Sequence, residues 1–248
     1  RGVQGASSRE EDFVEHLFVA NTHSYILFFT DKGKCYWVKV YDIPEGGRAA
    51  KGRAIVNLVG CEPDEKVSAF ISVKEFNEDH YVVMATEKGM VKKTKLSAYS
   101  NPRKKGIYAV EIREGDRLIE ARVSTGDNDI LLGTRNGKSI RFSEEQIRAS
   151  GRKTMGVKGI TLSSEDDRLV GMLLIKREGG TVLVATEKGF GKRTEISQYR
   201  AQKRGGKGVL TMKTTDKVGK MVTIKEVVDK DDLMIITNQG VLIRLPVA

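Results

Sequence analysis

The segment Gln202–Gly208, with the sequence Gln-Lys-Arg-Gly-Gly-Lys-Gly, places three cations and three glycines within seven residues. Glycine has no Cβ, so Gly205 and Gly206 would let the backbone turn sharply and approach a ligand closely. The cations would bring positive charge to that point, and the planar guanidinium of arginine suits phosphate. A basic turn is more often simply solvated, so the segment by itself indicates phosphate binding only weakly.

Composition narrows the class of ligand. The 248 residues include 43 Lys and Arg against 33 Asp and Glu, a net charge of +10, which favours a polyanion such as nucleic acid or an anionic membrane. No run of about 18 apolar residues is present, which argues against a membrane. Cys35 and Cys61 lack Cys-x-x-Cys spacing and indicate free thiols in a reducing, cytoplasmic compartment.

The chain repeats itself. Five Val/Ile/Leu-rich runs each end in a polar turn with a glycine, and these glycines lie 56, 48, 52 and 51 residues apart. An apolar run, a glycine turn and a second strand-like run are typical of a β-hairpin. The turn glycines are Gly33, Gly89, Gly137, Gly189 and Gly240, and the predicted second strands are Cys35–Val40, Met90–Leu96, Ser139–Phe142, Phe190–Ile196 and Val241–Leu245.

A second marker follows each of the first four hairpins. It reads Lys51-Gly52, Lys105-Gly106, Lys158-Gly159 and Lys207-Gly208, and strand-like runs such as Ala54–Val59, Tyr108–Ile112 and Val209–Met212 come next. About 50 residues and four strands per unit predict an all-β, propeller-like array with little helix. The predicted repeats are 6–52, 53–106, 107–159, 160–208 and an incomplete 209–248. The alternative is an ordinary β-sandwich with chance similarity between its parts.

The charges follow the same repeat. The segments 34–53, 91–105, 138–158 and 189–208 together hold 23 Lys and Arg but 5 Asp and Glu, whereas acids gather in the remaining connections. Equivalent segments of an array occupy equivalent places. The sequence therefore predicts a continuous basic band and a separate acidic face.

Gln202–Gly208 resembles the gyrase A box, the signature of the C-terminal domain of the DNA gyrase A protein, with Lys203 replacing the first arginine of that motif. The resemblance extends along the chain, for example to Gly191-Lys192-Arg193-Thr194. It implies a six-bladed β-pinwheel that bends double-stranded DNA around its rim and so supports negative supercoiling. Arg1–Gly5 resembles the tail of a second box, and the complete box lies four repeats further along than is usual in this family.

The basic band and the resemblance together predict a DNA-binding surface. Its residues are Gln202, Lys203, Arg204, Gly205, Gly206, Lys207, Gly208, Lys192, Arg193, Arg103, Lys104, Lys105, Lys92, Lys93, Arg152, Lys153, Lys158, Arg48, Lys51, Arg53 and Arg1.

Motifs for catalysis are missing from the sequence. It has no phosphate-binding loop of the type Gly-x-x-x-x-Gly-Lys-Ser/Thr, and its three histidines do not combine with Cys or paired carboxylates at metal-ligand spacing. Tyr99 and Tyr199 occupy matching places in two repeats, which indicates a shared structural role or contact with a sugar-phosphate chain. We therefore expect a binding module without metal or cofactor. The resemblance assigns ATP, Mg²⁺ and DNA cleavage to the rest of the gyrase A protein and to its partner, the gyrase B protein.

Two other functions remain open at this stage. The first is the equivalent domain of topoisomerase IV, against which the intact box argues. The second is a propeller scaffold for protein partners or chromatin, which would present acidic or apolar binding surfaces.

Overall fold

The computed structural model describes residues 19–46, 54–175, 180–236 and 242–247, and the described chain is almost entirely β-structure. The strands are β1 Tyr25–Thr30, β2 Lys34–Lys39, β3 Val67–Val73, β4 Tyr81–Thr86, β5 Met90–Lys95, β6 Ile107–Tyr108, β7 Leu118–Ser124, β8 Asp129–Thr134, β9 Lys138–Ser143, β10 Val157–Lys158, β11 Leu169–Ile175, β12 Thr181–Thr186, β13 Gly191–Glu195, β14 Val209–Leu210, β15 Met221–Val227, β16 Asp232–Ile236 and β17 Leu242–Pro246. One α-helix, α1, spans Ile55–Val59, and short 3₁₀ turns span Val40–Asp42, Leu96–Tyr99, Glu144–Gln146 and Ile196–Gln198.

The five predicted hairpins are confirmed as the antiparallel pairs β1–β2, β4–β5, β8–β9, β12–β13 and β16–β17. In the first four, the turn glycine has a φ of about 80°, a conformation that side chains with a Cβ rarely adopt. The fifth turn, with Gly240, lies outside the described residues. The hairpin is thus the regular unit of the fold.

Each of the first four hairpins gains a third strand, which pairs with its first strand: β3 with β1, β7 with β4, β11 with β8, and β15 with β12. In three sheets a fourth strand comes from the segment that follows the next hairpin. The two-residue strands β6, β10 and β14, which we call the exchanged strands, pair with the outer edges of β2, β5 and β9. Every one of these three sheets is therefore closed on its outer edge by its exchanged strand.

The first four sheets pack face to face, with an apolar core between each consecutive pair. In β4, Val82 and Met84 pack toward the first sheet, while Val83 and Ala85 pack toward the third. The same alternation places Leu131 of β8 in the core shared with the fourth sheet. Strands buried on both faces need apolar residues at every position. This explains why the hairpin runs are continuously apolar instead of alternating with polar residues.

The connecting segments differ from the predictions in two ways. The strand predicted at Ala54–Val59 is wrong, because Ile55–Val59 forms α1, with Ile55, Leu58 and Val59 half-buried at helical spacing. The strands predicted at Tyr108–Ile112 and Val209–Met212 begin near their expected positions but contain only two residues. The repeat boundaries proposed above stay an interpretation of the sequence.

Two hairpin glycines, Gly137 and Gly189, allow a measurement of how much the contact between a hairpin turn and the exchanged-strand segment contributes to stability. A Cβ on Gly137 would lie 2.0 Å from the carbonyl oxygen of Met212, just beyond β14, whereas a Cβ on Gly189 would meet nothing within 4 Å. Both residues have φ = 80°. Gly189→Ala should lower the free energy of unfolding by about 1–2 kcal/mol through backbone strain alone. Gly137→Ala should lower the free energy of unfolding by about 1–3 kcal/mol more than Gly189→Ala, because the new Cβ also displaces the segment that follows β14.

Chemical denaturation of both variants measures the difference. Equal losses would show that the contact between the Gly137 turn and the segment after β14 contributes nothing to stability.

Candidate nucleic-acid interface

Three loops that end in an exchanged strand form equivalent corners of the fold. We define them as corner 1 (101–108), corner 2 (151–158) and corner 3 (202–210). Each contains a glycine with positive φ directly before its two-residue strand: Gly106 at 72°, Gly156 at 80° and Gly208 at 67°. A Cβ on Gly208 would lie 2.4 Å from the carbonyl oxygen of Ser139. These glycines allow the chain to reach the outer edge of the preceding sheet.

This equivalence corrects the second marker in one repeat. Gly156, and not Gly159, corresponds to Gly106 and Gly208, because it precedes the exchanged strand. Gly159 follows that strand, and its N–H donates to the carbonyl of the hairpin glycine Gly89 over 2.8 Å. Ala109 and Thr211 make the same contact to Gly33 and Gly137. The Lys158-Gly159 pair resembles the marker in sequence, but its glycine lies three residues after the structurally equivalent position.

Backbone hydrogen bonds join the corners to one another. The N–H of Glu111, just after corner 1, donates to the carbonyl of Thr154 in corner 2 over 3.1 Å. The equivalent N–H of Thr161 donates to Gly206 in corner 3 over 2.9 Å, and Gly205 donates back to Gly159 over 2.8 Å. The three corners therefore lie side by side as one row, which we call the corner row.

The corner row presents cations to solvent. The exposed cationic side chains are Arg103, Lys104 and Lys105 in corner 1, Lys153 and Lys158 in corner 2, and Lys203 and Lys207 in corner 3. The Lys153 ammonium lies 5.6 Å from the ring centroid of Tyr108, so it sits over a residue of the neighbouring corner. The structure thus brings together the predicted basic residues of three successive repeats.

The predicted box forms corner 3, but its residues have different roles. Lys203 and Lys207 are exposed, whereas Arg204 is half-buried and donates to backbone carbonyls of Gln146 and Lys158. Gly205 has φ = 81°, while Gly206 does not adopt a positive φ and has 3.5 Å of room for a Cβ. Within the box, Gly205 and Gly208 therefore make the turn possible, and the two lysines carry its accessible charge.

Two predicted DNA-binding lysines lie inside the protein, which corrects their assignment. Lys92 is 1% exposed, and its ammonium donates to the carbonyls of Ala109 at 2.5 Å and Arg152 at 3.0 Å. Burial, with a smaller contribution from the charge of Arg152, lowers the pKa of Lys92 to about 7. Lys93 is 7% exposed and lies 3.6 Å from the buried carboxylate of Glu144. Neither ammonium is available to a phosphate in this structure.

Lys93 belongs to a repeated set of contacts that join consecutive sheets. Its ammonium donates to the carbonyl of Glu144 in the next repeat over 3.3 Å. At the matching place of β9, Arg141 donates to the carbonyls of Ile196 and Tyr199 over 3.1 and 3.2 Å. In β13, Arg193 donates to Val247 over 3.3 Å. These three cations therefore act between sheets, a role that the count of charges alone could not distinguish from ligand binding.

The other predicted contacts are exposed, half-buried or outside the described residues. Lys192 is exposed, and its ammonium lies 3.4 Å from the carbonyl of Thr211. Arg152 is half-buried and donates to the carbonyl of Tyr108. Arg1, Arg48, Lys51 and Arg53 lie outside the described residues.

The acidic connections cap the hairpin turns. Asp116 accepts the N–H of Lys88 over 2.9 Å, Asp167 accepts that of Asn136 over 2.9 Å, and Glu187 accepts that of Lys220 over 3.0 Å. Asp116 and Asp167 thus satisfy N–H groups of hairpin turns, whereas Glu187 lies in a hairpin turn and satisfies an N–H group of the connecting segment. The hairpin ends carry cations as well, since Arg117 and Arg168 both pair with Glu87 there.

The remaining candidates for chemistry are structural. Tyr99 and Tyr199 are 0% and 4% exposed, and burial raises the pKa of both hydroxyls, so a role for them in contacting a sugar-phosphate chain is wrong. Cys35 and Cys61 are buried free thiols whose pKa is raised by burial. Within the described ranges, three or more His, Cys, Asp or Glu side chains nowhere gather as a metal site would require. No helix among the described residues is long and apolar enough to span a membrane.

Comparison with known proteins agrees with this architecture. The family model described as "DNA gyrase C-terminal domain, beta-propeller" matches residues 24–74, 80–125, 128–176, 180–227 and 231–248. The DNA gyrase A protein of Clostridium acetobutylicum is 49% identical over the whole chain, and that of Staphylococcus epidermidis is 46% identical. The chain spans 30% and 28% of the length of these two relatives.

Solved structures show the same fold. The C-terminal domain of DNA topoisomerase IV superposes with a TM-score of 0.81 at 25% identity, covering 91% of this chain and 70% of that one. A DNA gyrase A C-terminal domain gives 0.78 at 22% identity, covering 97% and 80%.

The exchanged strands, the face-to-face sheets and the corner row define a β-propeller-type module whose outer edge carries cations. Two independent comparisons, by family model and by whole-chain identity, then agree on one group of proteins. The chain belongs to the DNA gyrase C-terminal domain family.

Proposed function

We propose that this chain binds double-stranded DNA along the corner row and bends it, as the C-terminal domain of a DNA gyrase A protein. The observation that carries the proposal is the corner row itself, in which equivalent loops of three successive sheets expose seven cations side by side. A repeated row of exposed lysines suits a ligand with regularly repeated negative charge. The phosphates of duplex DNA provide such a ligand.

Binding through the corner row would depend little on base sequence. Its cations come from short loops at sheet edges, and α1, with five residues, is the longest α-helix among the described residues. Reading bases in the major groove requires side chains on an element that enters the groove, most often a helix. Contacts from loops to phosphates instead set the position and path of the duplex. DNA that contacts successive corners must follow the direction of the row.

The whole enzyme would supply the remaining functions. On this proposal the domain itself is non-catalytic and holds no metal or cofactor. Other parts of gyrase A and its partner gyrase B would cleave DNA and use ATP and Mg²⁺ for negative supercoiling. The domain would work in the cytoplasm, associated with the nucleoid and away from membranes.

Two alternatives make different predictions. The first alternative is the equivalent domain of topoisomerase IV, and the whole-chain relatives, which are gyrase A proteins, favour the gyrase assignment over it. As a scaffold for protein partners, it would bind independently of DNA. A pulldown from lysate at low and high salt, with and without nuclease, separates the scaffold from both DNA-binding functions.

The salt dependence of affinity tests the proposed function directly. Each neutralised phosphate contributes about −0.9 to the slope of log K against log salt concentration. With contacts from three corners, we expect a slope of about −5 or steeper, with similar affinity for duplexes of unrelated sequence. Fluorescence anisotropy titrations between low and moderate salt measure it. A slope near −1, or strong preference for one short sequence, would contradict the proposal.

A further inference from the structure

Two arginines of the corner row make the same contact in successive corners. Arg152 and Arg204 each lie four residues before the corner glycine. The guanidinium of Arg152 donates to the carbonyl of Tyr108 over 3.3 Å, and that of Arg204 donates to the carbonyl of Lys158. Tyr108 and Lys158 are themselves equivalent, since each is the second residue of an exchanged strand. Each arginine therefore connects its own corner to the end of the corner before it.

Arg204 is held by a second set of contacts. Its Nε donates to the carbonyl of Gln146 over 3.2 Å, and its backbone N–H donates to the side-chain Oε1 of Gln146 over 2.8 Å. The Gln146 amide in turn donates to the carbonyl of Gln202 over 3.3 Å. A guanidinium that already donates in two directions within the protein has less capacity for phosphate than an exposed lysine.

The same position in corner 1 is Pro102, which has no side-chain donor. Arg103, one residue later, is exposed and stands among the row's accessible cations. The arginine contact therefore occurs in corners 2 and 3, each of which has a preceding corner among the described residues. The arginine position in the loop differs from the positions of the exposed lysines. This separation indicates two kinds of cation in one motif.

We propose that Arg152 and Arg204 are positioning residues, which fix the spacing between adjacent corners so that the exposed lysines hold DNA in a curved path. The inference rests on the proposed function. Bending 20–30 base pairs by 40–90° costs on the order of 1–6 kcal/mol, so the bent duplex exerts a restoring force on the protein surface that holds it. Corners that could shift relative to one another would still bind phosphates but would let the duplex straighten.

Four variants of the full chain separate the two kinds of cation. Arg204→Ala removes the guanidinium contacts and a charge, and Arg204→Lys keeps the charge. Gln146→Ala removes the side-chain hydrogen bonds that hold the backbone of Arg204 and Gln202, without changing charge. The double variant Lys203→Ala with Lys207→Ala removes only exposed charge. Lys217→Ala, an exposed lysine outside the corner row, controls for net charge.

Two measurements are compared on each variant. The first is the affinity of a 20-base-pair duplex with its salt slope, and the second is energy transfer between dyes on the ends of a DNA long enough to cross all corners. For Arg204→Ala, Arg204→Lys and Gln146→Ala, we expect short-duplex affinity within about twofold of the parent and a clear loss of end-to-end transfer, since bending requires aligned corners. The lysine pair should instead make the slope shallower by about 2.

Different results would overturn different claims. If Arg204→Lys and Gln146→Ala kept full transfer while Arg204→Ala reduced the slope by about 1, Arg204 would be a phosphate ligand and the positioning role would be wrong. If Arg204→Ala does not fold, shown by thermal unfolding, Arg204→Lys and Gln146→Ala decide the question. If the parent chain itself bound DNA without salt dependence, the proposed function would fail, whatever the variants do.

Discussion

The combined substitution of Lys104, Lys153 and Lys203 by alanine is expected to weaken binding to duplex DNA by about 10- to 100-fold at moderate salt. Each corner of the row loses one exposed lysine, and the turns and the arginine contacts between corners remain. An exposed charge contributes up to about 1 kcal/mol, and three lost phosphate contacts should also make the salt slope shallower by nearly 3.

The matched control removes three exposed lysines elsewhere. Lys74 and Lys230 follow β3 and β15, the third strands of their sheets, and Lys217 lies in the loop after corner 3. Their combined substitution by alanine changes net charge by the same amount. It should shift affinity only slightly, because these charges are not part of the row and are screened by salt. Equal losses in the two triple variants would show that DNA responds to net charge alone, and the corner row would not be the interface.

Substitution of Lys93 by methionine is expected to be among the most destabilising single changes in the chain. Its ammonium faces the fully buried carboxylate of Glu144, which also accepts the hydroxyl of Ser124 over 2.6 Å and two N–H groups of Asn128. Methionine keeps the length of the side chain but leaves a buried carboxylate without its counter-charge. Breaking a buried pair from one side costs about 3–5 kcal/mol.

Lys95 offers a control on the same strand. It pairs with Glu78 at 2.7 Å, but both side chains are at least half exposed. Water already solvates these charges, so Lys95→Met should change the unfolding midpoint far less. Adding Glu144→Gln to Lys93→Met should recover part of the stability, because the unpaired charge is then removed. If Lys93→Met cost no more than Lys95→Met in chemical denaturation, the link between the second and third sheets would be unimportant.

The cations of the predicted basic band fall into two groups. Lys104, Lys153, Lys203 and Lys207 are exposed as expected, whereas Lys92 and Lys93 are enclosed between sheets. The segment Met90–Lys95 has two adjacent lysines and no acid, so by composition it is indistinguishable from an exposed basic strand. What covers it is the loop of corner 2 and the 3₁₀ turn at Glu144–Gln146, which lie some 50 residues later in the chain.

The hairpins and their repetition were determined by the sequence itself. Their signals are local: a β-branched run, a glycine that can adopt positive φ, and a second run within a few residues. The separation of acids from cations was also visible, because each sign recurs at a fixed place in the repeat. So was the resemblance carried by Gln202–Gly208, since a motif is a contiguous string.

Only the tertiary structure decided how the repeats share strands and how their cations are used. Val157 and Lys158 pair with the edge of β5, more than 60 residues before them, and nothing in two residues encodes that partner. The burial of Lys92, the link made by Arg141 and the contacts of Arg204 all depend on groups supplied by another repeat. A side chain's chemistry is local, but its burial and its hydrogen-bond acceptors are set by what packs against it. That is why the same residue types became interior links at some positions and an exposed row at others.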